Sequence, residues 1–248
     1  MELQRGMRVT ILGASGSGKS TLARALFLRY LFNNARDRYY VLDIYPTHYI
    51  GNDHLSGLSR HGFARINITP DILDRLGEGD YEFKIDAYNW DELVGKIGKA
   101  VFVIELPPEL RTQAANNIAR AIRRRGNAVV LIDEVGAFLS NVERKIGDLA
   151  MLLTSGRPNG VDTIVVSQHA NFTHPLLRAA VTHVVTFRCT AENELNMLEQ
   201  TFPGKRGDIP SLDYTKREFL MADVTRGIFR RDSLQDILPR AAASPAQT

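Results

Sequence analysis

The chain has 248 residues, 44% of them hydrophobic, enough for one large α/β core or two small ones. Its formal charge of +3 permits a nucleic-acid partner without demanding one, and the single cysteine, Cys189, excludes a disulfide framework and points to a reducing compartment. The opening "MELQRGMRVT" lacks a basic flank before an apolar run, and no stretch is apolar enough to span a bilayer; the expectation is a soluble cytoplasmic or virion-associated protein.

The first predicted element is a β-branched strand, Arg8–Leu12. The next residues, Gly13–Ser20, read "GASGSGKS" and fit the phosphate-loop pattern G-x-x-x-x-G-K-S/T. Gly13, Gly16 and Gly18 let the backbone curl so that successive N–H groups, those of Ala14, Ser15 and Ser17 included, point at phosphate oxygens. Lys19 would reach the β- and γ-phosphates of ATP as a point charge, the Ser20 hydroxyl would ligate Mg²⁺, and Thr21 completes the segment. A predicted helix, Lys19–Asn33, would put its positive end under those phosphates.

A second strand is predicted over Tyr39–Ile44, ending in Asp43-Ile44. From Tyr45 to Asn89 the pattern weakens to loops plus a small strand or helix; Tyr45 and His48 are candidates for contact with adenine. A strand at Ala100–Glu105 precedes an amphipathic helix, Pro107–Arg125, whose Leu110, Ala114, Ile118 and Ile122 should face a sheet. Arg120, Arg123, Arg124 and Arg125 crowd its last turns. They either complement the helix dipole or form a basic rim for phosphates or a second trans-acting arginine.

Ala128–Asp133 is an apolar strand ending in two acids. In a phosphate-loop enzyme Asp133 would reach the Mg²⁺ shell and Glu134 would act as general base on water, although acids at a strand end also suit a following helix. After a helix over Val142–Ser155, Arg157 sits on a Pro/Gly turn and a strand, Asp162–Ser167, delivers Gln168. Arg157 reads as a trans-acting arginine finger or as a solvated turn residue; Gln168 reads as a γ-phosphate sensor or as a strand-end hydrogen bonder. A strand at His183–Arg188, a helix at Ala191–Thr201 and a hairpin over Arg217–Arg231 turning near Arg226-Gly227 complete residues 1–235 as one predicted domain, with residues 236–248 as a disordered tail. Lys205 and Arg206, between glycines, are either a mobile DNA-gripping pore loop or a solvated loop. The six histidines and Cys189 show no metal-ligand spacing, so Mg²⁺ is the one metal expected.

The run from "VVLIDE" to "GRPNGVDTIVVSQ", with "YVLDIYPTHY" upstream and "THVVTFRCTAENELNMLEQTF" downstream, resembles the FtsK–HerA superfamily of ring-forming ATPases. It resembles in particular the genome-packaging ATPases of tailless, membrane-containing icosahedral viruses, over roughly Met7 to Arg230. The resemblance implies a RecA-like α/β P-loop NTPase fold with an additional strand, a catalytic Glu and a mostly parallel central sheet flanked by helices. It implies ATP and Mg²⁺ held by Lys19, Ser20, Asp133 and Glu134, γ-phosphate sensing by Gln168, and Arg157 acting in trans. It further implies a homo-oligomeric ring, hexamer or pentamer, that pumps or packages double-stranded DNA, with a viral portal or membrane vertex as a further partner. Two other classes are weighed against it: an ATPase of a plasmid, conjugation or secretion system acting on a protein, and a small-molecule kinase. Glu134 and the lack of an arginine-bearing lid count against the kinase. No "LSGGQ"-like signature supports an ABC-type ATPase, since "HLSGLS" at His54–Ser59 lies far upstream of Asp133.

Overall fold

The computed structural model describes residues 6–44, 57–74, 80–139, 147–168 and 179–237. Nine described strands form one sheet in the order β3-β4-β2-β5-β6-β1-β7-β8-β9. They are β1 (Arg8–Leu12), β2 (Arg38–Asp43), β3 (Ala64–Ile68), β4 (Lys99–Ile104), β5 (Ala128–Ile132), β6 (Val161–Ser167), β7 (His183–Phe187), β8 (Glu218–Asp223) and β9 (Ile228–Ser233). β1 to β7 pair in parallel, while β8 and β9 close the sheet as an antiparallel hairpin. The six strands predicted from hydrophobic runs are all present, with ends shifted by a single residue or none.

The central strands are apolar on both faces because helices cover both. Alternation assigns each residue to a side. Tyr39, Val41, Val129 and Leu131 pack with helix α1 (Lys19–Phe32) through Leu22, Leu26, Phe27 and Tyr30. Tyr40, Leu42, Val130 and Ile132 pack on the opposite side. That side is covered by α6 (Pro108–Arg125) and α7 (Asp148–Ser155), with Ala114, Ile118 and Ile122 buried as the i, i+4 spacing requires and Leu110 partly buried. Helix α8 (Glu192–Thr201) covers the β1-β7-β8 part with Leu195 and Leu198 against Leu12, Val184 and Leu220.

Among the described residues between β2 and β4, the small strand and helix allowed by the weak pattern are present, with further short helices. Beside short helices α2 (Gly57–Arg60), α3 (Pro70–Asp74), α4 (Tyr81–Ala87) and α5 (Trp90–Lys96), the chain supplies β3 as an edge strand. Trp90 is buried, and its Nε1–H donates to the Ile85 carbonyl at 2.7 Å, fastening α5 to α4. A last helix, α9 (Leu234–Ile237), extends two residues past the predicted domain end. The rest of the predicted tail, residues 142–146 of the predicted helix, and Tyr45, His48, His54, His169 and His174 lie outside the described residues.

Arg123, Arg124 and Arg125 occupy the last turn of α6, where cations complement the helix dipole, and the arginines there are also paired. Arg120 and Arg123 pair with Asp148 at 2.7 and 2.6 Å, and Arg124 pairs with Asp91 at 2.7 Å. Arg125 donates to the Asp91 carbonyl at 3.0 Å. These side chains therefore tie α7 and α5 to α6 instead of forming a free basic rim. Lys205 and Arg206 are engaged as well, with Asp208 at 3.2 Å and with Glu192, which favours the solvated-loop reading.

Candidate active site

Parallel pairing puts the carboxyl ends of β1, β5 and β6 at one edge, where ligands of open α/β sheets bind. Leu12 is in register with Ser167, so Gly13 emerges level with Gln168. Ile132 is in register with Val165, so Asp133 and Glu134 emerge beside them. β6 lies between β1 and β5, the additional strand that the resemblance implies.

A cleft of about 380 Å³ opens there, lined by Ser15, Gly16, Gly18, Lys19, Ser20, Thr21, Asp133, Glu134, Gln168 and Arg217. The phosphate loop reaches it through left-handed backbone at Gly16 (φ 77°) and Gly18 (φ 105°), conformations that a Cβ would strain. Gly18 caps α1 without any side-chain cap bond, and no acid occupies the first turn, so the helix's first N–H groups are left for an anion. Gly13 underlies the loop, where a Cβ would come within 2.8 Å of Phe187, and Ser17 is buried. Neither Gly13 nor Ser17 lines the cleft, and Ala14 contributes its carbonyl, which accepts from Lys19 Nζ at 2.8 Å.

Lys19 is buried, and desolvation lowers its pKa while the charges of Glu134 and Asp133 oppose the shift. The Ser20 hydroxyl lies 3.4 Å from Asp133 Oδ1. Glu134 holds a left-handed backbone (φ 57°, ψ 66°) at the start of a 3₁₀ turn, Val135–Ala137. Such strain in a non-glycine residue collects at functional positions. Burial pushes its carboxyl above the ordinary value, and hydrogen bonds from the main chain and side chain of Gln168 pull it back, together with the Lys19 charge. A carboxyl raised by burial beside a cation suits a proton acceptor.

Arg157 is at the other end of the sheet. It opens a 3₁₀ turn, Arg157–Asn159, ahead of β6, and the seven-residue strand separates it from Gln168 by roughly 23 Å. It is exposed, packs its stem on Gly6, and its charge adds to burial in lowering the pKa of Arg8. Arg157 thus does not reach the cleft of its own chain.

Two residues against the phosphate loop lay outside the motif reading. Arg217, immediately before β8, borders the cleft, and the Tyr214 hydroxyl approaches Gly16 so closely that a Cβ there would come within 2.9 Å. Behind the loop, Tyr214, Arg188 and Cys189 line a second hollow of about 390 Å³ with Ala14 and Gln168. No local signal marks either residue, since each reaches the loop from roughly two hundred residues downstream.

No family model matches the sequence, and no curated protein matches it. Solved structures do. The chain is similar to the genome packaging NTPase B204 of Sulfolobus turreted icosahedral virus 2 in complex with sulfate, with 16% identity, TM-score 0.64 and 93% and 98% of the two chains covered. The same NTPase in complex with ATP-γ-S gives TM-score 0.62 at 17% identity, covering 91% and 95%. VirB4 of Thermoanaerobacter pseudethanolicus gives TM-score 0.59 at 14% identity, covering 91% and 88%. The resemblance read from the motifs holds at the level of the fold, which this chain shares with both proteins.

Proposed function

We propose that the chain hydrolyses Mg-ATP and that rings of it use the energy to move double-stranded DNA, in the manner of a viral genome-packaging motor. The observation that carries the reading is the insertion of β6 between β1 and β5, which brings Glu134 and Gln168 to the mouth of the phosphate loop. The loop N–H groups and Lys19 would hold the β- and γ-phosphates. Ser20 and Asp133 offer hard oxygen donors 3.4 Å apart beside them, a donor set that suits Mg²⁺. Mg²⁺ bound there would offset the charge that grows on the phosphate oxygens.

In this reading Glu134 accepts a proton from the attacking water and Gln168 orients both that carboxylate and the γ-phosphate. Arg157, roughly a strand's length from its own cleft, serves a neighbouring subunit's site, where it would stabilise transition-state charge. A ring is the form this reading requires, because a single chain does not bring Arg157 to its own cleft. The packaging assignment is supported by the fold shared with a genome-packaging NTPase. The fold shared with VirB4 keeps a second reading, an ATPase acting on a protein partner.

The ATPase rate with and without double-stranded DNA, at protein concentrations bracketing oligomer formation, separates the two. DNA should stimulate the oligomer and not the monomer, with salt-sensitive binding. An oligomer indifferent to DNA would sink the translocase reading.

A further inference from the structure

We infer that Arg217 is a nucleotide-binding residue acting in cis, gripping the phosphates nearest the nucleoside from the end of the cleft opposite Asp133 and Glu134. The inference rests on reading the cleft as an ATP site.

Three observations carry it. Arg217 lines the cleft with Lys19, Ser20 and Thr21. Its stem presses on the phosphate loop, for its Cδ would lie 3.2 Å from a Cβ at Gly18, so the glycine is needed for this approach as well as for the loop's own curl. Among the described residues its guanidinium has no carboxylate partner, whereas Arg231 on β9 pairs with Glu218, the residue next to Arg217. A cation left unpaired beside Lys19 and a helix N-terminus is repelled by both, and a polyanion in the cleft removes that repulsion. The planar guanidinium can also bind phosphate through two parallel hydrogen bonds.

The backbone holds the side chain there. Arg217 adopts φ +52°, its N–H donates to the Tyr214 carbonyl at 3.1 Å, and its own carbonyl accepts from the Leu234 N–H at 3.3 Å. Asp213 Oδ1 ties the turn from below, accepting from the Thr215 N–H and hydroxyl at 2.8 and 2.6 Å and from the Lys216 N–H at 3.2 Å.

Sheet order decides which phosphates it meets. Asp133 and Glu134 follow β5, two strands to one side of β1, and Arg217 immediately precedes β8, two strands to the other. The terminal phosphate belongs with Glu134 and Ser20, so the nucleoside end runs towards Arg217.

The test is equilibrium binding of fluorescent ADP and ATP analogues, with steady-state ATPase rates, for the full chain and four variants. Lys19→Ala should weaken both nucleotides, which tests the cleft itself. Arg217→Ala should raise Kd for ADP and ATP alike by about tenfold. Its kcat at saturating ATP should stay within about twofold, since the contact is made equally in ground and transition states. Arg217→Lys should recover part of the loss. Arg217→Gly should bind as weakly as the alanine variant without a lower Tm, because glycine accepts φ +52° freely, so a folding defect cannot imitate the result. Unchanged affinity in Arg217→Ala alongside a weakened Lys19→Ala would overturn the role of Arg217 and leave the ATP site standing. A loss confined to ATP would also overturn it, by moving the contact to the terminal phosphate. No nucleotide binding by the unmodified chain would instead remove the reading of the cleft.

Discussion

Gln168 hydrogen-bonds the Glu134 carboxylate through both its main chain and its side chain, and does so across two different strand ends. Burial raises the Glu134 pKa and these bonds restrain it, which fixes the sign of a pH effect. The carboxylate must be ionised to accept a proton, so kcat should fall on acidification at a higher pH than an unperturbed glutamate would give. Gln168→Ala removes bonds that favour the ionised form, and the acid limb should move further up. A kcat–pH profile of both proteins measures this; coincident limbs would uncouple the two residues.

Glu134→Gln should bind ATP normally and hydrolyse it about 10²–10⁴-fold more slowly. A carboxyl whose folded pKa lies above its unfolded value costs the fold stability once the pH passes the unfolded value. The neutral isostere should therefore raise Tm at pH 7, and a lower Tm would contradict the electrostatic account of this site.

Arg157→Ala should abolish turnover in the oligomer while sparing nucleotide affinity. Because Arg157 and the cleft of its own chain are separated by the length of β6, the defect should complement one in the cleft. Mixing the Arg157→Ala and Glu134→Gln proteins, each inactive alone, should restore activity at interfaces that join an intact arginine to an intact cleft. Mixtures as dead as their components would remove the trans role of Arg157.

Arg36 and Asp162 form a buried pair at 2.7 Å, and Asp162 also accepts from the Gly6 and Met7 amides at 2.5 and 3.0 Å, pinning the start of β1 to β6. Arg36→Ala strands a carboxylate that is 1% exposed and should cost about 3–5 kcal/mol in urea unfolding.

Arg120→Ala with Arg123→Ala should lower stability by about 1 kcal/mol or less per pair, since both partners are partly exposed. DNA affinity and its salt dependence should not change, because these cations are spent on Asp148. A reduced salt slope would restore the basic-rim reading of α6.

How much of this was readable in advance varies with the range over which each feature is decided. The curl of Gly13–Ser20, the strand before it and the helix after it depend on conformational preferences acting within a few residues, and all appear as the chain order suggests. The edge strand β3 was obscured because Ala64–Ile68 is short and half exposed, so no apolar run announces it. The arginines of α6 looked free because Asp91 and Asp148 lie 33 and 28 residues from their partners Arg124 and Arg120.

The chemistry of the loop, the acids after β5 and the amide after β6 was set by residue type alone: glycines permit the curl, Lys19 carries the charge, and apolar strands must end in something polar. Their meeting was decided by the tertiary structure. Parallel register levels Gly13 with Gln168. The position of β6 sets Glu134 near Lys19, and the closing hairpin lowers Arg217 onto Gly18. Local preferences act over a turn or two, whereas the order of strands in a sheet is fixed by burying both of its faces at once, a condition that only the whole chain can satisfy.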